Sequence, residues 1–549
     1  MNIFKTAAQQ VYETARQENR IIEGRSLDEL KEIALRQEGV IQTHIGSVAA
    51  DSEPMSRSAP HTRNSVDHPF GEEEAQLAGE MVELLKKETI ISLDTFIGDG
   101  QDGVSARFLI PEQYAQIAYG LKLLFNHPSV VLENPTYTII YFTDEAFERN
   151  RSKKLMNKDI SVRLMLGEKR GEQVKICRNT IYLGEGKKGI FQFEDWRIKA
   201  IDKTGIFLHA GARRDFLWIY DLGTGRPEMT EVVTAVAGLT ATGKTTTLCR
   251  KFTKVPRERS EMIGDDGGAM GFDGSYAAFE MGGVYVKTEG LDASQPEILR
   301  GAESKDAFLE NVSLTQYPYM PNFADISKTG NGRAVVSRDN LEIASQSLRA
   351  DRIHYIIILT RNPLVNVLSR LTPEQATMQF IYGESIESSG GNPEEAGRFK
   401  REFFLDPFMA GDRLEHAMIF YDIVKRNRIQ CYLANTGTIG LREDKVTLRQ
   451  SLATYNDLVR MQLRFSLEAD HLGYHYPIKC DRANLDLMTA YRLFDDHTLL
   501  EKRLLDFYRG RREYLEEFEG RYGRIPESIR EALPYQYREF SPREAFDIE

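Results

Sequence analysis

The sequence predicts a mixed α/β protein with two domains, the second built around a sheet that carries a glycine-rich loop. The 549 residues are too many for one ordinary hydrophobic core. Strand-like and helix-like segments alternate in the second half, as they do around a sheet. The buried strand EVVTAVA runs straight into the glycine-rich turn GLTATGKT. A turn-rich stretch, DLGTGRPEMT from Asp221, is the predicted boundary between an N-terminal domain (1–225) and a C-terminal domain with a helical tail (226–549).

Composition and charge exclude several classes of protein. Hydrophobic residues are 41% and charged residues 28% of the chain, an ordinary globular balance. The net charge of −11 argues against a broad nucleic-acid-binding surface, although a local basic pocket for a small anion is compatible with it. No apolar run approaches the ~20 residues that span a bilayer, and the start of the chain lacks the apolar core of a signal peptide. We therefore expect a cytoplasmic protein without a membrane partner.

The cysteines support the same location. The sequence contains four of them and no CxxC pair, which argues against a disulfide framework or a cysteine zinc site and favours a reducing compartment. They are Cys177, Cys249, Cys431 and Cys480.

Local patterns predict individual elements. Residues 46–71 are rich in Ser, Pro, Arg and His without periodicity, which is typical of a long loop. Helices are predicted over residues 72–87 and from Pro111 onward, and strands over residues 137–142 and 216–220. Further along, YIIILT and QCYLA predict strands and GDRLEHAMIFYDIVKR predicts a helix. The charged segment LLEKRLLDFYRGRREYLEEFEGRYG predicts an amphipathic, solvated surface helix near the C-terminus.

The glycine-rich turn fits the phosphate-binding pattern G-x-x-x-x-G-K-[ST]. Its glycines let backbone N–H groups face phosphate oxygens, and the following segment TTTLCRKF predicts a helix whose N-terminus faces the anion. Lys244 is expected to reach the β- and γ-phosphates, and the Thr245 hydroxyl to bind Mg²⁺. The predicted nucleotide-binding residues of this loop are Gly238, Leu239, Thr240, Ala241, Thr242, Gly243, Lys244 and Thr245.

An acidic pair, Asp265 and Asp266, follows the apolar residues of MIG. Paired carboxylates at the end of a strand suit a divalent cation beside a nucleotide. Taken alone, such a pair is more often a solvated turn.

The phosphate loop and the acidic pair resemble those of ATP-dependent phosphoenolpyruvate carboxykinases. GLTATGKT is similar to the family's GLSGTGKT, and MIGDD with GGVYVKT to its LIGDD with GGCYAKT. In the same order, YLGEGKKG resembles YTGEMKKG, LHAGA resembles MHCSA, LSRLTPEQATMQFIYG resembles VSRLTPEQAMYHFLSG, and ANTG resembles VNTG. DTFIGDGQDGVSARFL, from Asp94, resembles DAFCGANPDTRLSVRFI, so that the likeness extends from about Asp94 to Ser451.

The resemblance implies a two-domain fold with the active site in the cleft between the domains, and conversion of oxaloacetate and ATP to phosphoenolpyruvate, CO₂ and ADP. It also implies a catalytic Mn²⁺ and an Mg²⁺ that accompanies ATP. The resemblance implies that Lys188, His209 and Asp266 are the Mn²⁺ ligands, and that Asp265 is the preceding catalytic acid. It implies that Lys244 and Thr245 bind the nucleotide and Mg²⁺. Tyr182 and Arg333 are expected to face the organic substrate, and Lys445 and Ser451 to lie on the adenine side.

The chemistry accounts for these residue types. Loss of CO₂ from oxaloacetate leaves an enolate, whose developing charge a metal stabilises as a Lewis acid. Phosphoryl transfer then requires positioning and cations around the γ-phosphate. A lysine binds a metal only as the neutral amine, so Lys188 is expected to have a strongly lowered pKa.

The sequence departs from the family pattern beside the organic substrate. The substrate loop TGRSPKDK has no direct counterpart; the nearest segment, MSRSAP, makes Arg57 the candidate substrate arginine, with Arg63 as the alternative. The acid that precedes GGCYAK is replaced by Met281, with Glu280 adjacent. Thr240 and Ala241 replace Ser and Gly in the phosphate loop, and Gly267-Gly268 replaces EH after the acidic pair.

Three functions are compatible with these patterns. The first is the carboxykinase, with ATP or ADP and a small dicarboxylate or keto acid as its partners. The second is a kinase on the same scaffold that acts on another small acid or on a protein. The third is a catalytically silent nucleotide-binding regulator, against which the intact set Lys188, His209, Lys244 and Asp266 argues.

Overall fold

The structure is a computed structural model that describes most of the chain. The described residues are 2–53, 55–56, 58–150, 159–221, 224–239, 242–387, 397–406, 408–440, 444–480 and 496–535. Within these ranges the helices, numbered in chain order, are α1 (Ile3–Gln17), α2 (Leu27–Leu35), α3 (Glu72–Leu85), α4 (Ala115–Leu124), α5 (Glu145–Asn150), α6 (Leu183–Trp196), α7 (Lys244–Leu248), α8 (Pro296–Ala302), α9 (Pro373–Tyr382), α10 (Arg413–Asn427), α11 (Leu448–Val459), α12 (His497–Tyr522) and α13 (Glu527–Arg530).

The N-terminal part is a seven-stranded sheet with helices on both faces. In spatial order its strands, also numbered in chain order, are β1 (Ile21–Glu23), β5 (Ile90–Phe96), β6 (Ser105–Pro111), β7 (Tyr137–Phe142), β9 (Gln173–Arg178), β8 (Ser161–Met165) and β4 (Thr62–Asn64). Side chains alternate between faces along a strand. On β7, Ile140 and Phe142 pack in the cluster that contains α1 and α3, whereas Ile139 and Tyr141 pack in the cluster that contains α4 and α6.

Three further sheets follow. The six-stranded sheet runs in the order β13 (Arg259–Gly264), β11 (Ala210–Asp221), β12 (Arg226–Gly238), β20 (Tyr355–Thr360), β24 (Gln430–Asn435), β21 (Leu368–Leu371). The five-stranded sheet contains β16 (Gly283–Lys287), β18 (Arg333–Ser337), β17 (Phe308–Glu310), β3 (Val48–Ala50) and β2 (Ile41–Gln42). The four-stranded sheet contains β10 (Gly205–Leu208), β14 (Gly268–Gly271), β15 (Tyr276–Ala278) and β19 (Arg349–Ala350).

Three two-stranded ribbons complete the described strands. They are β22 (Glu384–Ile386) with β23 (Phe399–Arg401), β25 (Thr438–Ile439) with β26 (Asp444–Lys445), and β27 (Leu463–Phe465) with β28 (Pro477–Cys480).

Most predicted elements are confirmed. The helix predicted over residues 72–87 is α3, and the segments predicted as strands from Tyr137, Tyr355 and Gln430 are β7, β20 and β24. The helix predicted around GDRLEHAMIFYDIVKR is α10, whose first N–H groups are capped by the Asp412 side chain. These segments have strong apolar periodicity or β-branched runs, and the tertiary structure does not override them.

Other predictions of local structure are wrong. Residues 46–71 contain β3 and β4, which are too short to show a period and are held by parallel pairing with β17 and β8. Pro111 ends β6, and α4 begins at Ala115 after one short 3₁₀ turn. The helix after the phosphate loop, α7, ends at Leu248, well before the end of TTTLCRKF.

The turn-rich stretch from Asp221 is the tip of a hairpin rather than a linker between sheets. β11 and β12 pair continuously from Ala210–Ala237 to Asp221–Arg226. A boundary between residues 225 and 226 would divide this hairpin. Within the described residues the last strand of the seven-stranded sheet is β9, and the strands from β10 onward belong to other sheets, which also take β2 and β3 from the N-terminal part. The division into two domains stays a prediction, and the sheets favour a boundary upstream of Gly205.

The C-terminal helix α12 is not only a solvated surface helix, as the sequence predicted. It is amphipathic, but one face is buried, with Leu504, Phe507, Arg511, Leu515 and Phe518 among its buried residues. Buried hydrophobic residues of this face belong to the same core cluster as those of α9 and α10.

Candidate active site

The topology brings the sequence motifs to one edge of the six-stranded sheet. β12 and β20 run parallel, so that the phosphate loop after β12 and Arg361 after β20 leave the sheet at the same edge. β11 is antiparallel to β12 and pairs Ala210 with Ala237, which places His209 there too. β13 is antiparallel to β11 and ends at Gly264, so that Asp265 and Asp266 follow at this edge. The phosphate loop, His209 and the acidic pair, which are separate in the sequence, therefore meet at this edge of the sheet.

Asp266 is the centre of a cluster of cationic and basic groups. Its Oδ1 lies 3.0 Å from Lys244 Nζ and 3.2 Å from His209 Nε2, and its Oδ2 lies 2.9 Å from Lys187 Nζ. Burial opposes ionisation of Asp266, but the Lys187 and Lys244 ammonium groups hold the pKa of this carboxyl well below its usual range. Asp266 is therefore ionised at neutral pH and acts as an anionic anchor for cations.

His209 has a defined hydrogen-bonding arrangement. Its Nδ1 lies 2.8 Å from the carbonyl oxygen of Leu405, to which only an N–H can donate. In the neutral ring Nε2 then carries the lone pair, and it lies 3.2 Å from Lys244 Nζ, which can donate to it. Two acceptor atoms, His209 Nε2 and Asp266 Oδ1, thus share one ammonium group. This is a site for a cation.

The two lysines of the GKKG segment have different partners. Lys187 Nζ lies 2.9 Å from Asp266 and 3.1 Å from Glu280, whereas Lys188 Nζ lies 3.0 Å from Glu185. Burial lowers the pKa of Lys188, but the Glu185 carboxylate more than compensates, so that the net shift is upward. Within the described residues no hydrogen bond or ion pair joins Lys188 to His209 or Asp266. The expected lowering of the Lys188 pKa is therefore not found in this arrangement.

Two further carboxyls of the site are buried and hold their protons strongly. Burial, reinforced by the charge of Asp266, raises the pKa of Asp265 to about 6. Burial likewise raises the pKa of Glu280 to about 7, although Lys187 opposes this rise. Asp265 accepts a hydrogen bond from the Thr245 side chain, and its Oδ1 is buried without a hydrogen-bond partner. Thr245 and Asp265 therefore present oxygen atoms next to the phosphate loop.

The described end of the phosphate loop contains a glycine in a conformation that favours glycine. Gly243 has a φ of 99°, in the left-handed region that favours glycine, and α7 begins at the next residue. Lys244 Nζ donates to the carbonyl of Gly238 at 2.7 Å, and Thr242 Oγ1 donates to the carbonyl of Leu239 at the same distance. Thr240 and Ala241 lie outside the described residues.

These groups line one cleft of about 610 Å³. Of the residues predicted from sequence, it is lined by Tyr182, Lys188, His209, Leu239, Gly243, Lys244, Thr245, Asp265, Asp266, Arg333 and Lys445. Ser451 is not among the lining residues; it is buried in α11, 4% exposed, and the adenine-side role expected for it has no support in this arrangement. Arg63 is also absent, since it lies on β4 with a half-exposed side chain 3.7 Å from Glu73. Arg57 lies outside the described residues.

Comparison with known proteins identifies the family. A profile of the phosphoenolpyruvate carboxykinase family matches residues 19–484. The chain belongs to the ATP-dependent phosphoenolpyruvate carboxykinase family. The phosphoenolpyruvate carboxykinase (ATP) of Aeropyrum pernix is 26% identical over 491 residues, which cover 86% of this chain and 90% of that protein. That of Campylobacter jejuni is 28% identical over 366 residues (65% and 63%), and that of Allorhizobium ampelinum is 31% identical over 273 residues (49% and 46%).

The family assignment confirms the resemblance seen in the motifs and the expectation of an ATP-dependent enzyme. Enzymes of this carboxykinase family are generally metal-dependent. No helix of the described part of the chain is long and apolar enough to cross a membrane.

Sequence reasoning missed several residues of the carboxykinase cleft. Lys187, Lys287, Arg361 and Asp406 line it, and Glu280 contacts Lys187 behind it. The KK doublet was a signal for Lys187, but the sequence could not show which lysine faces the acidic pair. Glu280 is adjacent to Met281, which stands at the position of the family's acid. The structure buries Glu280 against Lys187 and leaves Met281 37% exposed.

Proposed function

We propose that this protein catalyses the ATP-dependent interconversion of oxaloacetate with phosphoenolpyruvate and CO₂. The observation that carries the proposal is the convergence on Asp266. Lys244 of the phosphate loop and His209, between β10 and β11, both contact this carboxylate, in a cleft that Arg333 and Tyr182 also line. A phosphoryl donor and an acceptor acid can therefore lie side by side, as in-line transfer requires.

The nucleotide is assigned to the phosphate-loop end of the cleft. Backbone N–H groups around Gly243 and the ammonium of Lys244 surround the phosphates, and Lys244 exchanges its contact with the Gly238 carbonyl for phosphate oxygens. Arg361 and Lys445 line the cleft and add positive charge for the phosphate chain or contacts for the base. Such contacts disperse the charge of the γ-phosphate during transfer.

The donor atoms fit two divalent ions. His209 Nε2 and Asp266 Oδ1 lie 3.2 Å apart, and both contact the Lys244 ammonium group. This pair of nitrogen and oxygen donors suits Mn²⁺. Thr245 and the unpartnered oxygen of Asp265 suit the Mg²⁺ of a nucleotide, which keeps waters and phosphate oxygens as its other ligands. Among the described residues no group of three or more His, Cys, Asp and Glu side chains gathers at one point, so a lysine amine, water or substrate completes each set. When bound, the Mn²⁺ supplies a Lewis acid for the enolate oxygen.

The organic acid is assigned to the end of the cleft formed by Tyr182 and Arg333. The Arg333 Nε is buried without a hydrogen-bond partner, which leaves this donor of the planar guanidinium for a carboxylate. Residues beside the candidate Arg57 are anchored here: Thr180 donates to the Met55 carbonyl at 2.7 Å, and Ser58 donates to Glu185. Arg57 itself lies outside the described residues; its proposed role is to hold the other carboxylate of oxaloacetate.

The residues then have complementary roles in the reaction. Arg333 orients the dicarboxylate so that the carboxylate that leaves as CO₂ lies away from water. Lys187 and Lys244 keep positive charge on both sides of Asp266, where negative charge develops on the enolate and on the transferred phosphoryl group. The buried cleft lowers the local dielectric and strengthens these interactions.

A single assay tests the proposal. The purified protein is incubated with oxaloacetate, ATP and Mn²⁺, and phosphoenolpyruvate is quantified by ³¹P NMR, with the Lys244→Ala variant as the matched control. We expect phosphoenolpyruvate and ADP in equal amounts from the wild type and neither above background from the variant. ATP binding without phosphoenolpyruvate formation would reject oxaloacetate as the substrate, and phosphorylation of another acid would identify a related kinase.

A further inference from the structure

A short turn, Phe403–Leu405, carries the carbonyl group that orients His209. Both Phe404 and Leu405 have a left-handed backbone, with φ values of 53° and 55°. Bulky L-residues rarely adopt this conformation, and it persists only where the surroundings impose it. The His209 contact therefore depends on whatever holds this turn.

Aromatic packing holds the turn from two sides. The ring of Phe404 stacks on Phe380 of α9, with centroids 4.7 Å apart and an interplanar angle of 13°. The ring of Phe403 stacks on Phe518 of α12, at 5.6 Å and 23°. Phe403, Phe404 and Phe518 are each 6% exposed or less. Helix α12 thus packs against one side of the turn.

A buried ion pair fixes α12 against the strand ribbon next to this turn. Arg511, which is fully buried, donates to both carboxylate oxygens of Glu384 in β22, at 2.9 and 2.7 Å. Arg401 of β23 lies 3.2 Å from the same carboxylate and donates to the carbonyl of Phe507 in α12 at 3.1 Å. Strand β23 ends two residues before Phe403. The helix therefore fixes both the approach to the turn and the turn itself.

Helix α12 lies outside the part of the chain that matches the carboxykinase family. The family profile ends at residue 484, and the helix extends from His497 to Tyr522. None of its residues lines the cleft, so that any influence on the reaction must pass through the turn.

We propose that α12 is a positioning element of the active site and that Phe518 is its positioning residue, which acts through Phe403 and the Leu405 carbonyl to hold His209. The metal-binding consequence rests on the proposed function, since it concerns the ion assigned to His209 and Asp266. Groups that orient a metal-binding histidine by its second nitrogen typically change metal affinity or activity by about 10- to 100-fold when removed. Phe518 acts one step further away, and we expect an effect of about tenfold.

The test compares three variants of the full chain. Phe518→Ala removes the ring, and Phe518→Leu keeps apolar volume without the stack. Leu504→Ala is the matched control: it truncates a side chain that is 3% exposed on the same helix, fourteen residues or about 21 Å away. The first readout is the ¹⁵N NMR signal of the His209 ring in metal-free, histidine-labelled protein, assigned with His209→Gln. The second is Mn²⁺ affinity by electron paramagnetic resonance, with ATP affinity measured alongside.

We expect Phe518→Ala to alter the His209 ring signal and to weaken Mn²⁺ binding about tenfold, with ATP affinity changed less than about twofold. Phe518→Leu should show a smaller change in the same direction, and Leu504→Ala should match the wild type in both readouts. A wild-type His209 signal in folded Phe518→Ala would overturn the proposal. If Phe518→Ala does not fold, a wild-type His209 signal in Phe518→Leu would overturn the proposal instead. A change in the His209 signal of Leu504→Ala as large as that of the Phe518 variants would also overturn it. Absence of Mn²⁺ binding in the wild type would reject the proposed metal site, while the ring signal still decides the role of Phe518.

Discussion

Replacing Glu280 with glutamine should change how the stability of this protein depends on pH. The Glu280 side chain is 2% exposed, and Oε1 lies 3.1 Å from Lys187 Nζ. Burial raises the pKa of Glu280 from its ordinary 4.5 to about 7, against the attraction of Lys187. Between these two values the unfolded chain binds fewer protons than the folded protein, so that stability falls as pH rises through this range.

The magnitude follows from the size of the shift. Each pKa unit corresponds to 1.36 kcal/mol, so that ionisation of Glu280 removes about 3 kcal/mol of stability by about pH 7, with no further loss above it. Glutamine has nearly the same shape but does not ionise, and Lys187 keeps Asp266 as a partner at 2.9 Å. We therefore expect Glu280→Gln to exceed the wild type in stability by less than about 1 kcal/mol near pH 5 and by about 3 kcal/mol near pH 8.5.

The assay is urea unfolding of the metal-free protein, in EDTA, at these two pH values. The unfolding midpoints of wild type and Glu280→Gln are compared at each pH, because the difference between the two pH values isolates the ionisable group. Glu303→Gln, which removes an exposed carboxylate, is the control and should show no pH-dependent difference. A Glu280→Gln variant that is less stable than the wild type at pH 8.5 would refute the argument, since Glu280 would then be a favourable ionised partner of Lys187.

Three other predictions concern the cleft. Lys244→Ala should lower kcat by at least about 100-fold, since one preorganised cation at the transferred phosphoryl group is lost, while circular dichroism shows a folded protein; near wild-type turnover would contradict this placement. Lys188→Arg should abolish one Mn²⁺ site in a titration, because a guanidinium cannot become a neutral ligand; loss of the site only in Lys187→Arg would assign the ligand to the neighbour. Arg333→Lys should raise KM for oxaloacetate about tenfold or more with KM for ATP unchanged, since the bidentate fork is lost, and equal KM values would exclude this arginine from substrate binding.

Local sequence was sufficient for elements whose pattern is strong. β7 and β20 are rich in β-branched and aromatic residues, and β24 has an apolar centre. The phosphate loop has a glycine, Gly243, at a position whose φ of 99° favours one. The ordered motifs also identified the carboxykinase family, because phosphate binding and metal binding restrict the residue types at fixed spacing. By contrast, β3 and β4 exist through pairing with distant strands, which no local pattern encodes.

The sequence by itself determined the chemistry available to this protein: a phosphate loop, an acidic pair, a histidine and a pair of lysines. Only the tertiary structure decided their partners. Lys187 rather than Lys188 contacts Asp266, because the two side chains leave helix α6 in different directions. The sheet order brings His209 beside that carboxylate, and α12 is buried against the turn that holds His209. Motifs specify residue types and spacing along the chain, whereas side-chain direction and burial depend on contacts between segments that are far apart in the sequence.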